Sequence, residues 1–188
     1  MKNPSVRRLA VSAVIAAVYA ALTMSTGFMS YGSVQFRIAE ALGVLPFFFP
    51  VTTWGVFVGC LIANLLSPIG AADLVVGSLT TLAACLCVTV LGRGTVPGER
   101  PGWGRCVLTC LVPVVFNAVA VGALLAWYGL AEAYSAPFWL LFLGNAASVG
   151  FGEAVVMSAL GLPLMRWLPA SRFYKTLAAA LDKRGQNG

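Results

Sequence analysis

Gln35-Phe36-Arg37-Ile38-Ala39-Glu40-Ala41-Leu42, running on to Leu45-Pro46, places an amide, a guanidinium and a carboxylate at the entrance of an apolar run. Almost everywhere else the membrane-length segments are aliphatic, aromatic or small. Charge is costly at the edge of a hydrocarbon layer, so a cluster there needs a reason. Arg37 and Glu40 are three apart and on a helix share one face, where they can pair. Gln35 stands just before them and can both donate and accept. Two readings follow from this stretch. It forms the rim of a polar-ligand site at a membrane face, or it is a snorkelling salt bridge that anchors a helix end.

Outward from that stretch, the composition sets the class. The chain has 188 residues, 60% hydrophobic and 10% charged, against roughly 25% charge in soluble domains; its mean hydropathy is +0.89. The apolar runs imply transmembrane helices, and the absence of alternating strand patterns argues against a barrel. The chain reads as a single membrane domain over residues 1–188, with no stretch polar and long enough for a soluble domain. It has no histidine, which removes the usual general base and the commonest metal ligand. Cys60, Cys85, Cys87, Cys106 and Cys110 form no CxxC pair, so they read as small packing residues and no metal site is expected.

The spacing of apolar runs and breakers predicts six helices, at about 9–26, 34–49, 52–66, 72–91, 106–128 and 145–167. A basic loop falls at 92–104 and a basic tail at 168–188. The long run 137–168 exceeds one span of about 20 residues, so 137–143 reads as an interfacial or re-entrant piece. The first helix carries two small-residue rows, Ala13/Ala17/Ala21 and Ser12/Ala16/Ala20, either of which lets a second helix backbone approach closely in lipid. Gly55 and Gly59 are close-packing positions on the third helix.

Six spans put both termini on one side. On that assumption Lys2, Arg7, Arg8, Arg93, Arg100, Arg105, Arg166, Arg172, Lys175, Lys183 and Arg184 lie on one face, eleven of the twelve basic residues, and the positive-inside rule assigns that face to the cytoplasm. The net charge of +6 is thus topological and gives no sign of nucleic-acid binding. The exception is Arg37. Gln35, Arg37, Glu40, Asn64, Asp73 and Asn145 then collect towards the outer face, with Glu153 about 12 Å deeper than Asn145 and Asn117 near mid-membrane. Ionisable residues inside a membrane mark substrate pathways, and a structural network has no reason to favour one leaflet. A polar pocket open to the outside is the reading these positions support.

Val34 to Leu42 with Leu45-Pro46 resembles the signature of the QueT family. So do Gly59-Cys60-Leu61-Ile62-Ala63-Asn64-Leu65, Asp73 with Gly77-Ser78, and Gly152-Glu153 before Leu160-Gly161-Leu162-Pro163. The resemblance covers most of the chain. It implies an all-α integral membrane fold, a six-helix bundle of the kind found in S-components of energy-coupling factor (ECF) transporters. It implies a substrate-binding subunit, not an enzyme, that takes up a queuosine precursor, 7-aminomethyl-7-deazaguanine (preQ1), across a bacterial plasma membrane. It also implies docking through Ala13, Ala17 and Ala21 on a transmembrane T-component with two cytoplasmic ATPases. No GxxxxGK[ST] occurs here, so ATP would be hydrolysed by those partners. The alternatives are an S-component for another vitamin-like molecule or a stand-alone secondary carrier. For such a ligand Glu40, Asp73 and Glu153 supply acids, Gln35, Asn64 and Asn145 amides, and Tyr31, Phe36, Trp54 and Trp139 aromatic faces. Which acid meets which group is open at this stage.

Overall fold

In a computed structural model, residues 4–27, 36–132 and 136–181 are described. Gln35 and Tyr31 lie outside the described residues, as do Lys2, Lys183 and Arg184. Every regular element among the described residues is helical. The elements are α1 (Pro4–Ser25), a 3-10 stretch (Ile38–Val44) leading into α2 (Leu45–Phe48), α3 (Thr52–Asn64), α4 (Ala71–Leu91), α5 (Trp103–Glu132), α6 (Phe138–Val156), a π segment (Met157–Gly161), α7 (Leu162–Trp167), a 3-10 turn (Leu168–Ala170) and α8 (Arg172–Leu181). Four helical stretches are long and apolar enough to cross a bilayer: Ser5–Ser25, Ala71–Leu91, Trp103–Gly129 and Phe138–Ala170. Large apolar side chains such as Val14, Leu79, Val119, Leu143 and Phe151 stand exposed along them. That pattern suits contact with lipid tails, whereas a soluble surface would leave it as a large apolar patch.

Three expectations are corrected. The helix expected over 34–49 is absent as such. Arg37 is non-helical (φ −86°, ψ 88°), residues 38–44 wind as a 3-10 helix, and only Leu45–Phe48 is α-helical. Pro46 explains part of this, because its ring removes a donor and crowds the carbonyl four residues back. A 3-10 helix rises about 2.0 Å per residue, so this short stretch climbs about 20 Å with α2 included. The thirteen residues of α3 return over a similar ~20 Å. Both are shorter than the spans expected from the sequence, and six full crossings are not what the helix lengths give.

The second correction concerns 137–143, read as a re-entrant piece. Pro137 (ψ 142°) is the cap, and α6 starts directly after it at Phe138 and runs on without a break. The excess length is taken up further along. Pro163 has no N–H to give, and just before it the ladder widens, with Leu162 N–H bonding to Met157 O five residues back. Third, α1 begins at Pro4, ahead of the expected Leu9, with proline in a favoured first-turn position; α5 likewise extends beyond 106–128 at both ends.

The two small-residue rows of α1 part company. Ala16 and Ala20 are buried while Ala13, Ala17 and Ala21 are exposed. The buried row meets Gly55 and Gly59 of α3 almost backbone to backbone. A Cβ on Gly59 would sit 2.8 Å from Ala16 O and 2.7 Å from Tyr19 Cβ, so only glycine permits this approach. Around the contact, Ile15, Tyr19, Ala39, Val56 and Cys60 form one apolar core, and Val44, Phe47, Val88, Cys110, Met157 and Met165 another. At one end of the molecule the start of α1, the 92–102 loop and α8 come together. Arg8, Pro97 and Leu181 line one cavity, Gly98 N–H donates to Tyr174 Oη at 3.0 Å, and Arg166 donates to Pro101 O at 2.8 Å.

Candidate functional site

At the other end of α3 and α4 the polar residues gather, and they are sealed. Arg37 is 4% exposed, Glu40, Asn64 and Asp73 1% each, and Glu153 2%. The non-helical backbone at Arg37 lets its side chain leave the 3-10 axis and reach the tip of α3 and the first turn of α4. Its Nη2 lies 3.3 Å from Asp73 Oδ2 and donates at 3.3 Å to Asn64 Oδ1. Asn64 in turn donates from Nδ2 to Asp73 O at 3.2 Å and to Ser78 Oγ at 3.3 Å. Gly77 makes room for this knot, since a Cβ there would fall 2.8 Å from Asp73 Oδ1 and 2.9 Å from Asn64 Nδ2.

Glu40 does not pair with Arg37, as helical spacing had suggested. It turns to α1, where Tyr19 Oη donates to its Oε1 at 2.5 Å, and to α4, where Thr81 Oγ1 approaches the same oxygen at 3.5 Å. Thr81 Oγ1 also lies 3.4 Å from Cys60 Sγ. Two separate anchor points thus replace the single pair. Glu153, on α6 one turn before the π segment, faces the cluster with Asn117 of α5 beside it, close enough to feel the charges of Glu40 and Arg37. Glu153 Oε1 and Asp73 Oδ1 are buried and have no hydrogen-bond partner. Side chains of α1, the 3-10 stretch, α3, α4, α5 and α6 therefore converge, and among the described residues they bring three buried carboxylates and one guanidinium together.

Arg37, Glu40, Asn64, Asp73 and Glu153 are brought together; Asn145 is not seen to join them. It was expected at the start of the sixth helix, but α6 begins at Phe138, and Asn145 spends its amide on Leu141 O at 2.9 Å one turn back. Trp54 and Trp139, offered as stacking faces, are 59% and 70% exposed and point away from the buried cluster; Phe36 is half-buried. Sequence reasoning assigned no role to Tyr19 or Thr81, read Cys60 as a packing residue and quoted Ser78 only within the family signature. Tyr19 carried a usable signal, a phenol on the same side of α1 as Ala16 and Ala20, where a buried hydroxyl must find a partner. The cavities at the basic end, about 720 Å³ and about 340 Å³, are lined by residues such as Phe48, Pro50, Pro97 and Tyr174 and include none of the polar cluster.

Comparison with known proteins bears on what such a cluster serves. The profile described as QueT transporter matches residues 9–170, which spans every element of the cluster. The chain belongs to the QueT transporter family. It is also 39% identical over 84 residues to the Queuosine precursor transporter QueT of Lactococcus lactis subsp. cremoris (strain MG1363). That match takes in 44% of this chain and 49% of the relative, about half of the relative's length. No solved structure matches. The family is described as one of transporters, and the four described helices long and apolar enough to cross a bilayer suit a membrane protein of that family.

Proposed function

We propose that the chain is the substrate-binding S-component of an ECF-type importer for a queuosine precursor, 7-aminomethyl-7-deazaguanine, in a bacterial plasma membrane. The observation that carries this reading is the charge imbalance of the sealed cluster. Glu40, Asp73 and Glu153 are all buried, and among the described residues the one cation buried with them, Arg37, is paired with Asp73. Buried charge is tolerated when it is paired, so the cluster favours a ligand that carries positive charge and several N–H donors. A guanine-like ring with an aminomethyl arm supplies both, and Asn64 offers a donor for its carbonyl.

Six crossings are proposed, counting the Arg37–Phe48 stretch and α3 as two short ones, with both termini and the 92–102 loop cytoplasmic. The gathering of Arg8, the loop and α8 at one end supports this, as does the bias of basic residues towards that end. Docking on a T-component, with ATP hydrolysed by two associated ATPases, is proposed through Ala13, Ala17 and Ala21. Their exposure on the outer face of α1, opposite the row packed on α3, supports it.

The test is to purify the protein, identify by mass spectrometry what it carries, and measure uptake with and without co-expressed T-component and ATPases. Bound preQ1 and uptake that depends on those partners are expected. A tightly bound flavin, thiamine or biotin overturns the ligand, and uptake without partners favours a stand-alone carrier. Ala17→Trp is expected to abolish co-purification with the T-component while leaving ligand affinity within about twofold, because the side chain touches no part of the cluster. An undiminished complex shows the row to be lipid-facing only.

A further inference from the structure

The three acids of the cluster are not equivalent, and their partners separate their roles. Asp73 already has a cation, Arg37, at 3.3 Å. Glu40 has hydroxyl donors from two helices, Tyr19 at 2.5 Å and Thr81 at 3.5 Å. Glu153 has Asn117 beside it, a second oxygen with no partner, and no cation in ion-pair contact among the described residues. Its side chain is buried, 2% exposed, away from bulk water. An unsatisfied buried carboxylate costs several times what a paired one does. The local helix is also unusual: Glu153 stands one turn ahead of the five-residue π segment Met157–Gly161, and such bulges recur at functional sites. Glu153, Met157 and Gly161 are all buried.

We propose that Glu153 is the charge-reading residue of the site: its carboxylate receives the ligand's ammonium group, with Asn117 beside it, while Glu40 and the Arg37–Asp73–Asn64 knot hold the heterocycle. This rests on the reading of the cluster as a ligand site and adds to it a division of labour among the acids. Glu153 then sets specificity between ligands that share a ring and differ in the charge of the arm. Glu40, already oriented by Tyr19 and Thr81, serves any ligand with the same N–H edge.

The experiment uses the full chain in nanodiscs and two probes with the same ring, 7-aminomethyl-7-deazaguanine and its uncharged 7-cyano counterpart. Calorimetric titration of wild type, Glu153→Gln and Glu40→Gln gives six affinities. Glu153→Gln is expected to weaken the amine by at least about thirtyfold, the scale of a lost buried charge-assisted bond. The cyano compound should change by less than about threefold. Glu40→Gln is expected to weaken both probes together, by at least about tenfold. Equal losses on both probes for Glu153→Gln, or an unchanged amine affinity, overturn the assignment. Glu153→Asp keeps the charge at shorter reach and should retain the preference for the amine; if Glu153→Gln does not fold, loss of that preference in Glu153→Asp overturns the proposal. Wild-type protein that binds neither probe refutes the ligand class itself, a failure distinct from a misassigned acid.

Discussion

The two ends of the molecule treat arginine in opposite ways. At the basic end Arg105 donates to Leu91 O at 2.5 Å and Arg93 O at 3.1 Å and lies over the Phe47 ring at 5.4 Å; Arg166 donates to Pro101 O and lies 4.7 Å over Trp103. Those carbonyls include the last of α4, which has no intrahelical donor, so Arg105 completes a helix end and suits its dipole. No carboxylate is needed because water is near. At the sealed end Arg37 is paired with Asp73 and fixed by Asn64, and nothing there is left to solvent. The same side chain acts as a surface clamp in one place and as half of a buried ion pair in the other. The difference lies in how much of the charge water can still stabilise.

This contrast can be broken by mutation. Arg37→Met should have the largest effect, because it strands Asp73: a loss of about 3–5 kcal/mol, read as a large fall in the melting temperature of the purified protein. A double-mutant cycle sharpens it, since Arg37 should couple strongly to Asp73 and weakly to Glu40; the reverse ranking would restore the helical pair suggested by their spacing. Tyr19→Phe comes next. It removes the donor to Glu40 and should cost about 1.5–3 kcal/mol, with weaker ligand binding measured alongside thermal stability. Unchanged stability and affinity would mean that Glu40 does not depend on α1. Arg166→Ala should be smallest, about 1 kcal/mol or less, because its contacts lie at a wetted end. If it destabilises the protein as much as Arg37→Met, the two ends do not differ as described.

Much of the architecture was legible in the chain. Uninterrupted apolar runs at 72–91 and 106–128 had to be helices, because only a helix satisfies its own backbone in lipid. The breakers Ser67-Pro68 and Gly92 fell at real ends. The stretch at 34–49 was misread because apolar composition identifies burial, not helix type. From Ile38 the backbone winds as a 3-10 helix and only Leu45–Phe48 is α-helical, a distinction hydrophobicity does not carry. The run 137–168 was divided on length, although a tilted or widened helix holds more residues than a straight span.

Composition and order determined by themselves that this chain is a helical membrane protein and that Arg37, Glu40, Asp73 and Glu153 are costly to bury. Each of these follows from the solvent, which acts on every residue alike. Tertiary structure alone decided who pairs with whom. Arg37 left Glu40 for Asp73, Glu40 took a hydroxyl from α1, Glu153 kept an oxygen unpaired, and of two equal small-residue rows one was packed on α3 and the other left bare. Those outcomes depend on distances of about 3 Å between segments far apart in sequence, within the reach at which a hydrogen bond forms or fails. Spacing along one helix carries no information about them.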